Sequence, residues 1–268
     1  MAFIEKRSGD VVYMASSNIT AVHAFTTRAG GVSQGIYSSL NLGEMVADDH
    51  ENIRENYRRI CAALDIPMEK LVFSHQVHRD DIRTAHFGDT RELFSPITYE
   101  ADGLITDEAQ LPLIIYMADC IPVLLHDPVR GAVGAVHCGW RGTVLGIAGK
   151  CVLEMRDKFG CKPKNIRAAI GPGIGLCCYE TGQDVADAVY NLIPDKASNY
   201  VLPKGGKYMV DLKGINRLVL EKAGVLSDNI DVSDECTMCL HEKYWSHRYT
   251  NGKRGLTAAI IMLKGTKA

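Results

Sequence analysis

Three apolar runs follow one another in the middle of this chain, at residues 111–117, 121–125 and 131–137. Each has the length of a strand, and none approaches the ~20 residues a bilayer-crossing helix needs. They fit neighbouring strands of a buried sheet. The first two are separated by Ala118-Asp119-Cys120, and the third runs into Val136-His137-Cys138-Gly139-Trp140-Arg141-Gly142. A thiol and an imidazole therefore stand at the ends of adjacent strands, where a sheet commonly carries a site.

Weaker patterns surround these runs. The second run extends as a strand over 121–127, and further strands are expected at 11–15, 22–26, 71–77, 103–106, 165–170, 230–233 and 256–263. Residues 52–64 have helical periodicity, with Ile53, Tyr57, Ile60, Cys61 and Leu64 on one face and Arg54, Glu55, Arg58 and Arg59 largely on the other. Helices are also expected at 142–159, closed by Gly160, and at 182–192 and 211–223. Strands clustered together, with helices between and after them, predict an α/β fold, a mixed-sheet sandwich with helices packed on the sheet. The irregular alternation excludes a Rossmann fold. With no repeat or linker, residues 1–268 read as a single domain.

A formal net charge of −2 excludes an electrostatic nucleic-acid binder. The opening Met1-Ala2-Phe3-Ile4-Glu5-Lys6 is not a signal peptide, so a cytoplasmic protein with no membrane partner is expected. Nine cysteines, an odd number in a chain expected to be reduced, read as buried thiols or metal ligands before disulfides.

Cys120 and His137 offer a thiolate and an imidazole, and His75-Gln76-Val77-His78 offers a second imidazole. In an extended segment His75 and His78 point to opposite faces, and spacing alone does not choose between them. Three such ligands with one open position form a catalytic zinc site. Cys236-Thr237-Met238-Cys239-Leu240-His241 is half of a zinc knuckle, and without a second pair it reads as loop thiols. The adjacent Cys177 and Cys178 suit neither joint chelation nor a disulfide. His23, His50, His86, His126 and His247 have no evident partner. For anions, Arg28 precedes Gly30-Gly31, and Arg141 stands at an expected helix start. Either arginine, with backbone N–H groups freed by glycine, would hold phosphate or a carboxylate. Gly171-Pro172-Gly173-Ile174-Gly175 lacks nucleotide-loop spacing and reads as a turn shaping a pocket wall.

The ordered blocks Thr27-Arg28-Ala29-Gly30-Gly31-Val32-Ser33, Ser39-Leu40-Asn41-Leu42-Gly43, Gln76-Val77-His78, Ala101-Asp102-Gly103-Leu104-Ile105-Thr106, Ala118-Asp119-Cys120-Ile121-Pro122-Val123, Val136 to Gly142, and Gly171 to Glu180 resemble the multicopper polyphenol oxidase, or laccase-domain, family. That family is also called peptidoglycan editing factor, and its members are described as purine nucleoside phosphorylases. The resemblance covers nearly the whole chain. It implies that His78, rather than His75, joins Cys120 and His137 as a metal ligand. The cofactor it implies is zinc, with copper as the alternative ion. The implied substrates are phosphate and purine nucleosides: phosphorolysis of adenosine, inosine and 5′-methylthioadenosine, with deamination of adenosine. Arg28, Asn41, Gln76 and Arg141 are the expected substrate- or phosphate-binding residues, and Asp119 or Cys120 the expected proton carrier. The family's closing Ser-Tyr-Arg-Arg-Asp-Gly block appears as Ser246-His247-Arg248-Tyr249-Thr250-Asn251-Gly252, with His247 and Tyr249 departing from it.

Three other readings compete. A peptidoglycan-editing amidohydrolase would use the same metal or the Cys120 thiolate. A copper-dependent polyphenol oxidase needs His-x-His pairs, and this chain has none. A non-enzymatic metal-binding protein would not need two anion loops.

Overall fold

A computed structural model describes residues 3–265; Met1, Ala2 and residues 266–268 lie outside the described residues. Strands Phe3–Ser8 (β1), Val11–Ser16 (β2) and Val22–Thr26 (β3) precede helix His50–Leu64 (α1). Strands Ile82–Thr84 (β4), Gly103–Thr106 (β5), Leu113–Met117 (β6), Ile121–Asp127 (β7) and Ala132–Cys138 (β8) come next. Helices Trp140–Val144 (α2) and Ile147–Phe159 (α3), strands Arg167–Ile170 (β9) and Glu180–Thr181 (β10), and helix Gln183–Leu192 (α4) follow. The chain then forms strands Val201–Lys204 (β11) and Lys207–Val210 (β12), helix Leu212–Lys222 (α5), strand Ile230–Val232 (β13), helix His247–Thr250 (α6) and strand Thr257–Met262 (β14).

Two large sheets stack face to face. One is wholly antiparallel, in the order β1-β2-β3-β14-β6. The other is mixed, in the order β13-β9-β7-β8-β5-β4, with parallel pairs at its two edges. Alternation along the strands sorts the side chains into layers. Phe25, Leu113, Ile115, Ala259 and Ile261 of the first sheet share a core with Leu104, Leu124, Val133, Ala135 and Ala169 of the second. The opposite face of the first sheet, including Ala24, Ile114 and Ile260, packs on Ile53, Tyr57, Ile60 and Leu64 of α1. The opposite face of the second, including Ile105, Val123, Leu125 and Val136, packs on α3, α4 and α5 through Val152, Val189 and Ile215. The layers thus run helix, sheet, sheet, helices, and a small third sheet, β10-β12-β11, lies to one side. This is the expected mixed-sheet α/β sandwich.

Local chemistry sets the element ends. Asp49 caps α1 by accepting hydrogen bonds from the backbone N–H groups of Glu51 and Asn52. Asp127 closes the β7–β8 hairpin by accepting from Val129 and Arg130.

Two expectations need correction. The helix expected at 142–159 is two helices, because Gly146 takes the left-handed conformation at φ 74° and ends α2 before α3 begins. The strand expected at 71–77 is absent: the segment makes single bridges, Val72 to Leu113 and then His75 to Glu100. It changes partner from the edge of one sheet to a loop, so no ladder forms. Strands β1, β4, β10, β11 and β12 were not legible; most are short or carry exposed, charged side chains.

Candidate metal centre and substrate cavity

The ends of β7 and β8 set the site. These strands pair antiparallel with Ile121 opposite Cys138, so the residue before β7, Cys120, lies beside His137 near the end of β8. His78 arrives from the loop before β4. Its Nε2 is 3.9 Å from Cys120 Sγ, and its ring meets that of His137 edge-on at 4.8 Å between centroids. One ligand atom from each of His78, Cys120 and His137 lies within 4.8 Å of the others. His75 also faces the cavity but stands outside this group.

Asp102 organises the centre. Its carboxylate accepts hydrogen bonds from the backbone N–H groups of Val77, His78 and Arg79, each at 3.0 Å. It also accepts from Nδ1 of His137 at 2.7 Å. The three amide contacts hold His78 in its left-handed backbone conformation, φ 61°. The ring contact fixes the His137 tautomer with Nε2 free to ligate, the arrangement metal-binding histidines use. Gly139 completes the pocket: a Cβ there would lie 2.9 Å from His78 Cδ2 and 3.4 Å from Cys120 Sγ.

Electrostatics match the donor set. Burial alone would push the Cys120 thiol up; the charge of His137 and hydrogen bonds from both histidines outweigh it and hold the thiol down at about 6. Burial pushes His137 down, but the Cys120 thiolate and Asp102 carboxylate raise it to about 9. A soft thiolate and two imidazoles in a small space, with Gly139 leaving room between them, fit a zinc-type ion.

The centre opens into a cavity of about 1250 Å³, ample for a nucleoside and an anion. Arg141, Arg248, Arg254, His50, His247, Tyr116 and Tyr179 line it with His78, Cys120 and His137. Arg141 stacks over Trp140, with its guanidinium carbon 4.4 Å from the ring centroid. Arg254 is half-buried, and its Nε has no hydrogen-bond partner. The negative charges of Asp119 and Cys120 act on that guanidinium against the effect of its burial.

The remaining expected residues are placed as follows. Gln76 lines the cavity, and its amide pairs with the backbone of Tyr116 at 2.7 and 2.9 Å, as a neighbouring strand would. Asp119 sits at φ 81°, and its carboxylate accepts from Thr237, Ser246 and the backbone N–H of Arg248. It thereby ties the 246–252 block to the metal centre. Asn41 is buried away from the cavity: it donates to Asp48 and accepts from the N–H groups of Gly43 and Leu256. Arg28 is also outside the cavity lining. Its guanidinium donates to the carbonyls of Ser38 and His241 and stacks over Trp245 at 4.0 Å. Beside it, Gly31 is a packing position, since a Cβ would lie 2.1 Å from the Ser39 carbonyl oxygen. Ile174 lines the cavity, as expected for the 171–175 turn.

Sequence reasoning missed Asp102 as a site residue, and Arg248 and Arg254 as cavity cations. The Ala101-Asp102-Gly103 block carried the only signal for the first. For Arg248 the signal was the closing block at 246–252; Arg254, an isolated loop arginine, gives none. It also missed Glu44, a buried carboxylate in the cavity wall held by Arg91, the Phe94 N–H and the Tyr116 hydroxyl.

Residues 22–264 match the family model described as multi-copper polyphenol oxidoreductase laccase. The chain is 39% identical over 248 residues to purine nucleoside phosphorylase YlmD of Geobacillus stearothermophilus, covering 90% of this chain and 89% of that protein. It is 32% identical over 259 residues to adenosine deaminase RL5 from an unknown prokaryotic organism, covering 93% of this chain and 97% of that one. The crystal structure of YlmD from Geobacillus stearothermophilus superposes with a TM-score of 0.92 at 36% identity, over 98% of this chain and 99% of that one. With the fold, the match over residues 22–264 and these relatives in agreement, the chain belongs to the multi-copper polyphenol oxidoreductase laccase family.

Proposed function

We propose that this protein is a zinc-dependent purine nucleoside phosphorylase that also deaminates adenosine, acting in the cytoplasm on adenosine, inosine and 5′-methylthioadenosine. In phosphorolysis the bond from ribose C1′ to the purine nitrogen breaks and a bond from C1′ to a phosphate oxygen forms. The base leaves with a proton, and ribose 1-phosphate is the second product. In deamination, water replaces the purine amino group and ammonia leaves. The observation that carries the reading is the three-ligand group of His78, Cys120 and His137 opening on a cavity whose lining includes Arg91, Arg141, Arg248 and Arg254. Relatives named for both activities support it.

His78, Cys120 and His137 would hold the ion, which supplies Lewis-acid polarisation and activation of water near neutral pH. Asp102 orients the His137 imidazole and holds the His78 backbone. Arg141 and Arg254 are the proposed phosphate-binding pair, because both line the cavity and the Arg254 Nε has no protein partner. Arg28, whose donors are engaged by backbone carbonyls, serves instead to hold its loop. Gln76 shapes the wall, and Asn41 braces the loop behind it. Asp119, with its carboxylate already accepting three hydrogen bonds, acts as a positioning residue. Tyr179 and His247 offer ring faces for a purine.

Copper oxidation of phenols is the weaker reading. Among the described residues, the potential metal-holding groups are this one and a cluster of four cysteines; neither is the histidine-rich assembly a multicopper centre needs.

The test is incubation of metal-replete protein with adenosine, with and without phosphate. Adenine and ribose 1-phosphate are expected only with phosphate, and inosine in both. Absence of all three products would remove the reading.

A further inference from the structure

Outside the residues that line the cavity, two loops bring four thiols together. One is the turn after β9 carrying Cys177 and Cys178, and the other follows β13 and carries Cys236 and Cys239. Their sulfur atoms all lie within 4.8 Å of one another. Cys239 Sγ is 3.5 Å from Cys177 Sγ and 3.4 Å from Cys178 Sγ. A disulfide would require about 2.05 Å. Four thiolates around a tetrahedral zinc at ~2.3 Å stand about 3.8 Å apart, close to what is seen. The adjacent pair, unsuited by sequence to joint chelation, thus supplies two of four converging sulfurs because both side chains turn toward Cys239.

The backbone supports the same geometry. The N–H of Gly175 donates to Cys236 Sγ at 3.1 Å. The N–H groups of Met238 and Cys239 also act on that sulfur. Amides from the residues just past the first cysteine of a Cys-x-x-Cys turn, aimed back at its sulfur, stabilise a thiolate. A Cβ at Gly175 would lie 3.3 Å from Cys177 Sγ and 3.5 Å from Cys236 Sγ, so the missing side chain leaves the space between the pairs open.

We propose that Cys177, Cys178, Cys236 and Cys239 form a second metal centre, a closed four-thiolate site for zinc, distinct from the open His78-Cys120-His137 centre. Four protein ligands leave no position for substrate, so the role is structural. The link has a definite target. Between the two loops, Gly173 bridges to Cys236 and its carbonyl accepts from the Thr237 N–H. Ile174 N–H donates to the Asp119 carbonyl, and the Thr237 hydroxyl donates to the Asp119 carboxylate. Asp119 precedes the catalytic-centre thiol. Clamping the two loops together therefore fixes the turn that presents Cys120. Zinc binding displaces protons from the thiols, with no change of oxidation state.

The test is elemental analysis of full-length protein purified under reducing conditions, loaded with zinc and desalted. Wild type is expected to hold about two zinc ions per chain. A Cys120→Ala/His137→Ala variant, which leaves the four thiols intact, should keep about one, as should Cys236→Ala/Cys239→Ala through its other centre. Cobalt loaded into the first variant should give the intense thiolate-to-metal absorption of a tetrahedral all-sulfur site. About one ion in wild type, and none with Cys120 and His137 replaced, would overturn the proposal. Because the readout is metal content, its outcome is independent of whether the protein is a phosphorylase.

Discussion

Nδ1 of His137 lies 2.7 Å from Oδ1 of Asp102, and the same carboxylate accepts the backbone N–H of His78. One buried side chain thereby positions the His137 ring and the His78 backbone, two proposed metal ligands that arrive from different elements. Asp102→Asn would turn an amide N–H₂ toward either Val77 and Arg79 or His78 and His137, all of them donors. Zinc affinity at this centre is expected to fall about 10- to 100-fold with the fold retained. Chelator competition on the Cys236→Ala/Cys239→Ala background measures it without interference from the four-thiol cluster.

Gly139→Ala tests the space within the centre. The added methyl would lie 2.9 Å from His78 Cδ2, so the ring must move while its backbone stays held through Asp102. Metal affinity and turnover are expected to fall together by at least about tenfold. Circular dichroism should match wild type.

Arg254→Gln tests the phosphate assignment. Loss of a charge-assisted hydrogen bond corresponds to about 1.5–3 kcal/mol, or roughly a 10- to 100-fold rise in KM for phosphate. Deamination of adenosine, which consumes no phosphate, should change much less. Steady-state kinetics of the two reactions on one preparation separates the outcomes.

His126, buried in β7, has an Nδ1 without a partner, and burial together with the charge of Arg167 lowers its pKa from 6.5 to about 4. As pH falls below 6.5 the unfolded chain takes up this proton first. The contribution of the neutral ring is therefore complete above 6.5 and lost progressively toward 4. Urea denaturation should show His126→Gln losing less stability than wild type over that range, by on the order of 2 kcal/mol.

The parts of the site that end apolar runs were legible in the sequence. Cys120 and His137 announce themselves because the strands beside them are continuous and buried. His78 was not separable from His75 by pattern, since strand periodicity does not apply to a loop residue at positive φ, and only family resemblance chose it. The Arg28 loop has the composition of an anion site, but its donors go to neighbouring carbonyls, and composition cannot show that. The four-cysteine cluster was invisible because its halves lie in loops after different strands. The Cys-x-x-Cys turn lacked a partner in sequence and found one only where β9 and β13 pair.

Phosphate-dependent release of adenine from adenosine by His78→Ala, Cys120→Ala and His137→Ala, each verified as folded, addresses the metal centre most directly. Residues that act as a unit lose activity by similar amounts when removed singly. The expected result is a fall of at least about a thousandfold in kcat/KM for all three variants. Turnover within about tenfold of wild type in any folded variant would contradict a catalytic ion held by these three side chains.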